Sequence, residues 1–165
     1  MEKIYHIGTL GQPWGEAEKA RWLSEQAVKR SVFTEVYPVI ETLKTDFDIE
    51  QYGELNYQHL IGKHYPLYAV KSRHWQSDKP TILVTGGVHG YETSGVHGAL
   101  RFLQTEAKAY SKKLNILVLP CISPWGYETI NRWTPDAIDP NRSFGADGKA
   151  AEAQQVRQYL ASLNC

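Results

Sequence analysis

Apolar positions along this chain follow two rhythms, one with a helical period and one strand-like. Residues 8–15 hold three glycines and Pro13 and predict a loop. Residues 16–30 place Ala20, Leu23 and Ala27 on one stripe, the 3-4 spacing of an amphipathic helix. Residues 34–45 predict a second helix, with Thr34 as N-cap and Pro38 early enough to be tolerated, although the Val-rich stretch Glu35–Ile40 also fits a strand. The pattern then changes to two strands, Asp48–Tyr57 and Tyr65–Ser72, joined by a turn. After Lys79-Pro80, Thr81–Thr85 is a short continuous apolar run of the kind buried on both faces. Residues 92–109 predict a helix with Val96, Leu100 and Leu103 inward, and Leu114–Pro120 a second buried strand. Residues 121–148, rich in Pro, Gly, Asn and Asp, predict a loop. Residues 149–163 predict a final helix with Ala153, Val156, Leu160 and Leu163 on its inner stripe and Glu152 on its exposed side.

Strand, helix, strand, loop, helix is an α/β arrangement, here a mixed sheet flanked by helices. With 165 residues the chain is long enough for one domain with a real core. Its 18 basic and 18 acidic residues cancel, which leaves no electrostatic footprint for nucleic acid or an anionic membrane. No apolar stretch is long enough to span a bilayer. The start, Met1 to His6, lacks the charged-then-apolar pattern of a secretion signal and predicts a cytoplasmic protein. The two cysteines form no disulfide framework: Cys121 is expected in the core and Cys165 at an exposed end.

The chemistry concentrates where the strand Thr81–Thr85 runs into Gly86-Gly87-Val88-His89-Gly90-Tyr91-Glu92. Sites in open α/β sheets lie at the carboxyl ends of strands. Imidazole and carboxylate both suit Zn²⁺, and His89 and Glu92, three residues apart, can reach one ion. The spacing alone is weak; the surrounding glycines strengthen it, because they let the backbone turn sharply. The bland alternative makes Glu92 a helix-start carboxylate favoured by the dipole and His89 a satisfied turn residue. An oxyanion loop of a serine hydrolase is excluded by the absence of a Gly-x-Ser-x-Gly elbow.

A second constellation follows the next strand: Ser123-Pro124-Trp125-Gly126-Tyr127-Glu128, then Asn131-Arg132, then Asp139-Pro140-Asn141-Arg142-Ser143-Phe144. Arg132, Asn141 and Arg142 at the same sheet edge form a natural anion receptor, since guanidinium binds carboxylate bidentately. The bland alternative leaves these arginines solvated or paired with Asp136 and Asp139.

Taken together, Gly-Gly-Val-His-Gly-x-Glu, Pro-x-Gly-Tyr-Glu, Arg and Asp-x-Asn-Arg-x-Phe resemble the zinc metallocarboxypeptidase family of A/B type. The resemblance is nearest to compact bacterial members, in which the turn glycine and the arginine stand six positions apart, as Gly126 and Arg132 do. It runs over roughly residues 50–163, so 49–165 is expected to be the N-terminal part of a catalytic domain, and 1–48 a helical segment without an assignable role. The resemblance implies a three-layer α/β/α fold and a Zn²⁺ cofactor bound by His89 and Glu92. Arg132 would polarise the scissile carbonyl, and Asn141 and Arg142 would hold the free C-terminal carboxylate of a peptide substrate. The implied reaction is hydrolysis of the last peptide bond by metal-activated water.

Three departures from the family pattern qualify this. Ser123 replaces an asparagine, and Pro140 an apolar residue. No histidine follows His97, and the family's third ligand, general base, capping tyrosine and specificity pocket come from strands after the helix at 149–163. His97 is too near His89 to be an easy ligand, and His59, His64 and His74 fall at surface turns or strand ends. Residues 1–165 alone are therefore expected to bind zinc weakly, turn over poorly and expose an apolar face. Two alternatives remain open: an N-acyl amino acid deacylase or amidase on the same scaffold, or a non-catalytic module that binds carboxylates.

Overall fold

The computed structural model describes residues 6–163, so the expectations for Met1–Tyr5 and for Cys165 lie outside the described residues. In chain order the elements are α1 (Glu16–Ser24), α2 (Val32–Glu35), α3 (Tyr37–Thr42) with a 3₁₀ turn at Leu43–Thr45, β1 (Phe47–Tyr57), α4 (Gln58–Ile61) and β2 (Lys63–Ser72). They continue with β3 (Thr81–Thr85), α5 (Thr93–Thr105), α6 (Ala107–Tyr110), β4 (Asn115–Leu119), α7 (Pro124–Thr129), a 3₁₀ turn at Pro140–Arg142 and α8 (Ala151–Ser162). Among the described residues no helix is long and apolar enough to cross a membrane.

The four strands form one mixed sheet in the order β1-β2-β4-β3. β1 and β2 are antiparallel, as are β2 and β4, whereas β3 and β4 are parallel. The parallel pair needs a crossover, and α5 supplies it. The central strand β4 is buried throughout and divides its side chains between the two faces. Ile116 and Val118 join Val96, Leu100 and Leu103 of α5 in one apolar cluster. Leu117 and Leu119 join Val156 and Tyr159 of α8 in the other. Period-2 alternation on a strand covered on both sides gives the three-layer α/β/α architecture that the family resemblance implies. Val32, Val36, Ile40 and Leu43, all N-terminal to β1, sit in the same cluster as α5.

Several local expectations are corrected. The helix expected over 16–30 stops at Ser24 and buries no side chain. The following residues are drawn out instead by tertiary hydrogen bonds: the Lys29 and Arg30 amides donate to the Glu128 carbonyl at 2.8 and 3.3 Å. The N-cap position of the second helical stretch is Ser31 rather than Thr34, because the fully buried Val32 opens it. Pro38 falls in the first turn of α3, where its missing N–H is harmless. β1 and β2 are joined by the short helix α4, and α7 stands inside the stretch expected to be loop.

Two corrections affect the outer layers. β3 is an edge strand, not a buried one, with Ile82 and Leu83 41% and 42% exposed. A continuous apolar run says that both faces can be covered; which neighbours cover them is decided elsewhere in the sheet. Glu152, expected on the exposed side of α8, is instead buried at 1% exposure. The Tyr57 hydroxyl donates to its Oε1 at 2.7 Å, while Oε2 and the nearby Tyr52 hydroxyl lack partners among the described residues.

Burial pushes the Glu152 carboxyl up to about 7, opposed by the bonds from Tyr57 and its own backbone amide and reinforced by the charge of Asp136. A carboxyl raised in the folded state binds more protons there than in the unfolded chain, so stability declines as pH rises through the window from 4.5 to about 7. Glu152→Gln keeps an acceptor for Tyr57 and removes the titration. Urea unfolding should show the variant gaining on the native chain across that window, by on the order of 3 kcal/mol at pH 8, with no further gain above it. Parallel pH profiles for the two chains would refute the assignment.

Candidate active site

The site is built where the parallel strands β3 and β4 end side by side. Gly86 continues the ladder by donating to the Leu119 carbonyl at 2.9 Å, and Ile122 and Ser123 donate back to the Gly86 and Gly87 carbonyls at 3.0 and 2.9 Å. Gly87 takes φ +61°, a left-handed turn that a side chain would strain. The chain then passes so close to α7 that a Cβ at Gly90 would collide with the backbone of Gly126 and Tyr127. This approach fixes the loop between His89 and Glu92, and Glu92 becomes the N-cap residue of α5.

The His89 ring lies between two carboxylates. Its Nδ1 is 2.9 Å from Glu92 Oε1, and its Nε2 is 2.8 Å from Asp139 Oδ1. Glu92 is half exposed, whereas His89 and Asp139 are buried. Asp139 Oδ1 also accepts from the Asn141 amide at 2.9 Å, and Oδ2 accepts from Arg132 Nη2 and Nε at 2.9 and 3.1 Å. Burial disfavours the charged form of Asp139, but the bonds from His89, Arg132 and Asn141 outweigh it and hold the carboxyl below its usual range. Arg132 is raised in turn, chiefly by its bond to Asp139 and then by that to the Tyr91 hydroxyl, which accepts from Nη1 at 3.2 Å. Tyr91 also stacks on His89, with ring centroids 5.8 Å apart at 14°.

This geometry tests the fit of a metal ion. An ionised Asp139 on Nε2 fixes the neutral ring with its proton there, leaving a lone pair on Nδ1. That lone pair faces a carboxylate oxygen of Glu92 at 2.9 Å, a contact that needs a cation or a second proton on the ring. The pair therefore fits a metal ion as two ligands with a carboxylate behind the histidine. Among the described residues no cluster of three His, Cys, Asp or Glu side chains is placed to complete such a site.

Arg132 thus joins the His89–Glu92 pair through Asp139. Asn141 and Arg142 follow on the 3₁₀ turn that Asp139 caps, both exposed, and no hydrogen bond or ion pair of their side chains is found among the described residues. Two further histidines are engaged elsewhere: His97 contacts the Tyr127 hydroxyl at 3.1 Å and His64 bonds Glu54 at 2.7 Å. The Cys121 thiol is raised to about 12 by burial and is inert. Pairing of Arg132 with Asp139, the bland alternative, is real, yet it occupies only three of five guanidinium N–H groups when the Tyr91 bond is included.

Three residues escaped sequence reasoning. Asp139 was visible only as a motif letter, and nothing in the sequence said that it reaches back to His89. Tyr91 sits inside the glycine turn without a signal of its own. Arg30 had no signal either: from the N-terminal segment it donates to the Tyr127 carbonyl (2.7 Å), Thr93 Oγ1 (2.8 Å) and the Gly90 carbonyl (3.1 Å), with its guanidinium 3.6 Å from the Tyr127 ring centroid.

The family model described as zinc carboxypeptidase matches residues 60–161, well over half of the chain. The chain belongs to the zinc carboxypeptidase family. A curated relative, Carboxypeptidase 2 of Trichophyton equinum, is 29% identical over 102 residues, covering 55% of this chain and 19% of its own. A Shewanella amazonensis SB2B protein named as a candidate metallopeptidase has 26% identity and a TM-score of 0.65, covering 84% of this chain and 56% of its own. The metallo-carboxypeptidase of Burkholderia cenocepacia, at 15% identity and a TM-score of 0.61, shares the fold over 78% of this chain and 37% of its own. The chain thus spans about half the length of the Shewanella structures it matches, and a fifth of the curated relative. His89, Glu92, Arg132, Asn141 and Arg142 all fall inside the matched residues.

The Arg30 bonds tie the loop between His89 and Glu92 to α7. Arg30→Met keeps much of the aliphatic stem and removes all three donations. It should cost roughly 2–4 kcal/mol in denaturant unfolding, since hydrogen bonds from charged groups contribute about 1.5–3 kcal/mol each and are partly replaced by water. A change within ~0.5 kcal/mol would show that the contacts are incidental.

Proposed function

We propose that this chain carries the first two metal ligands and the carboxylate clamp of a zinc-dependent carboxypeptidase acting on the C-terminal peptide bond. The observation that carries this reading is the His89 ring held between Asp139 and Glu92, with Arg132 on the same aspartate. Zinc, when held by His89 Nδ1, Glu92 and a donor beyond the described residues, would supply Lewis acidity at the scissile carbonyl. Asp139 keeps the ligand nitrogen of His89 free of a proton. Arg132, with guanidinium N–H groups to spare, holds the negative charge that develops on the carbonyl oxygen. Asn141 and Arg142, exposed and uncommitted, bind the substrate's terminal carboxylate; that contact confines cleavage to the last residue. A third metal donor and a general base are required besides these residues.

The lack of a third donor among the described residues favours one second reading, a module that binds carboxylate-ended peptides without catalysis. Both are tested on the complete protein with paired peptides bearing a free or an amidated C-terminus. A carboxypeptidase cleaves only the free form, and Arg142→Ala lowers kcat/KM roughly 10- to 100-fold. Binding of the free form that survives chelation, without cleavage, would instead identify the module. Faster hydrolysis of N-acyl amino acids than of peptides would mark a deacylase on this scaffold.

A separate prediction concerns the metal. In competition titrations Asp139→Asn should weaken zinc binding roughly 10- to 100-fold, the usual cost of losing the partner behind a histidine ligand. Unchanged affinity would mean that His89 does not ligate through the geometry described.

A further inference from the structure

Beside Arg132 the surface opens into a cleft lined, among the described residues, by Trp14, Trp22, Trp133 and Ala137, with a volume of about 280 Å³. Its walls come from segments far apart in sequence, the N-terminal loop with α1 and the loop between Arg132 and Asp139. Trp14 and Trp133 are each 40% exposed.

The cleft is preformed. Trp22 forms its anchored side, meeting Trp125 edge-on with ring centroids 5.9 Å apart. The Trp133 amide donates to Asn131 Oδ1 at 3.1 Å, and Asn131 Nδ2 donates to Gln26 Oε1 at 2.7 Å, linking the two walls. Buried Thr134 closes the loop: its amide donates to the Ile138 carbonyl at 2.9 Å, and its hydroxyl accepts from the Ile138 amide at 3.2 Å. Ala137 within that loop holds φ +56°. Fixed aromatic walls lose little conformational entropy when a ligand enters.

We propose that this cleft is a subsite for an aromatic or bulky apolar side chain on the acyl side of the bond that is cleaved. The assignment of a side rests on the function proposed above. Asn141 and Arg142 hold the leaving residue by its carboxylate, and Arg132 meets the carbonyl of the preceding one. The Arg132 guanidinium lies 5.9 Å from the Trp133 ring centroid, so the cleft adjoins the residue that meets the carbonyl, and neither Asn141 nor Arg142 is among its lining. The lining names the occupant. Among the described residues its side chains are three indoles and a methyl group, with no carboxylate to pair with a cationic side chain, so the cleft favours an aromatic or apolar group. The volume exceeds the roughly 150 Å³ in which an apolar cavity accepts a benzene-sized group.

The test titrates the full chain with acetyl-Phe-Ala and acetyl-Gly-Ala, following the indole N–H resonances, with Trp14→Phe and Trp133→Phe for assignment. The Phe peptide should bind roughly tenfold tighter and shift the Trp14 and Trp133 signals, and Trp14→Ala, at an exposed position, should erase most of the preference. Equal affinities, or a preference retained in both Trp14→Ala and Trp133→Ala, overturn the subsite. If Arg142→Ala still abolishes binding in that case, the carboxylate clamp stands without the subsite. A Phe preference that Trp14→Ala removes but Arg142→Ala leaves intact supports the cleft and removes the clamp. No binding of the Phe peptide overturns the cleft.

Discussion

Asp139 accepts from three directions at once, and the arrangement of the site depends on it. Its oxygens receive the His89 ring, the Arg132 guanidinium and the Asn141 amide, so one buried carboxylate sets the orientation of His89, of Arg132 and of the turn that presents Asn141 and Arg142. A buried charge is costly unless each lone pair finds a donor, and here the donors are the functional groups themselves. Electrostatic satisfaction of Asp139 and alignment of the site are therefore the same set of contacts. His89 turns its other nitrogen to Glu92, and with a neutral ring and an ionised Glu92 that contact calls for a cation.

The support behind these groups is largely backbone. The glycine turn after β3 touches α7 at Gly90 and Gly126 with no room for a side chain, and Arg30 fastens both from outside. Glu128, at the end of α7, gathers donors in the same way, since its carboxylate accepts from the Val32 amide, Lys63 and the Tyr65 hydroxyl. Its carbonyl accepts from Lys29 and Arg30, so the N-terminal segment is held against the loop that carries Arg132. That segment contributes the arginine that braces the turn between His89 and Glu92 and two tryptophans beside the arginine loop.

The periodic parts of the fold were legible along the chain. β4 and α5 fall where the apolar pattern puts them, and Val96, Leu100 and Leu103 are buried as their spacing demands. The glycine turn was legible because glycine takes φ +61° without strain and leaves room for the close pass of α7. Expectation failed wherever a distant partner outweighed local preference. The helix at 16–30 ended early because Lys29 and Arg30 found the Glu128 carbonyl, and Glu152 went inside because Tyr57 on β1 offers a hydroxyl. The apolar run of β3 did not reveal that it stands at the edge, since strand order is not encoded in any one strand.

The sequence by itself determined the α/β layering, the pairing of His89 with Glu92 at a strand end, and the presence of Arg132, Asn141 and Arg142 on the following loop, since periodicity and short-range turn chemistry are local properties. Only the tertiary structure decided that Asp139 stands behind His89, fifty residues away, and that Arg30 clamps the turn between His89 and Glu92. It also decided that Trp14, Trp22 and Trp133 face one cleft. Such contacts join segments whose separation along the chain carries no distance information, and their free energy comes from burial and hydrogen bonds that exist only once the sheet has brought the segments together.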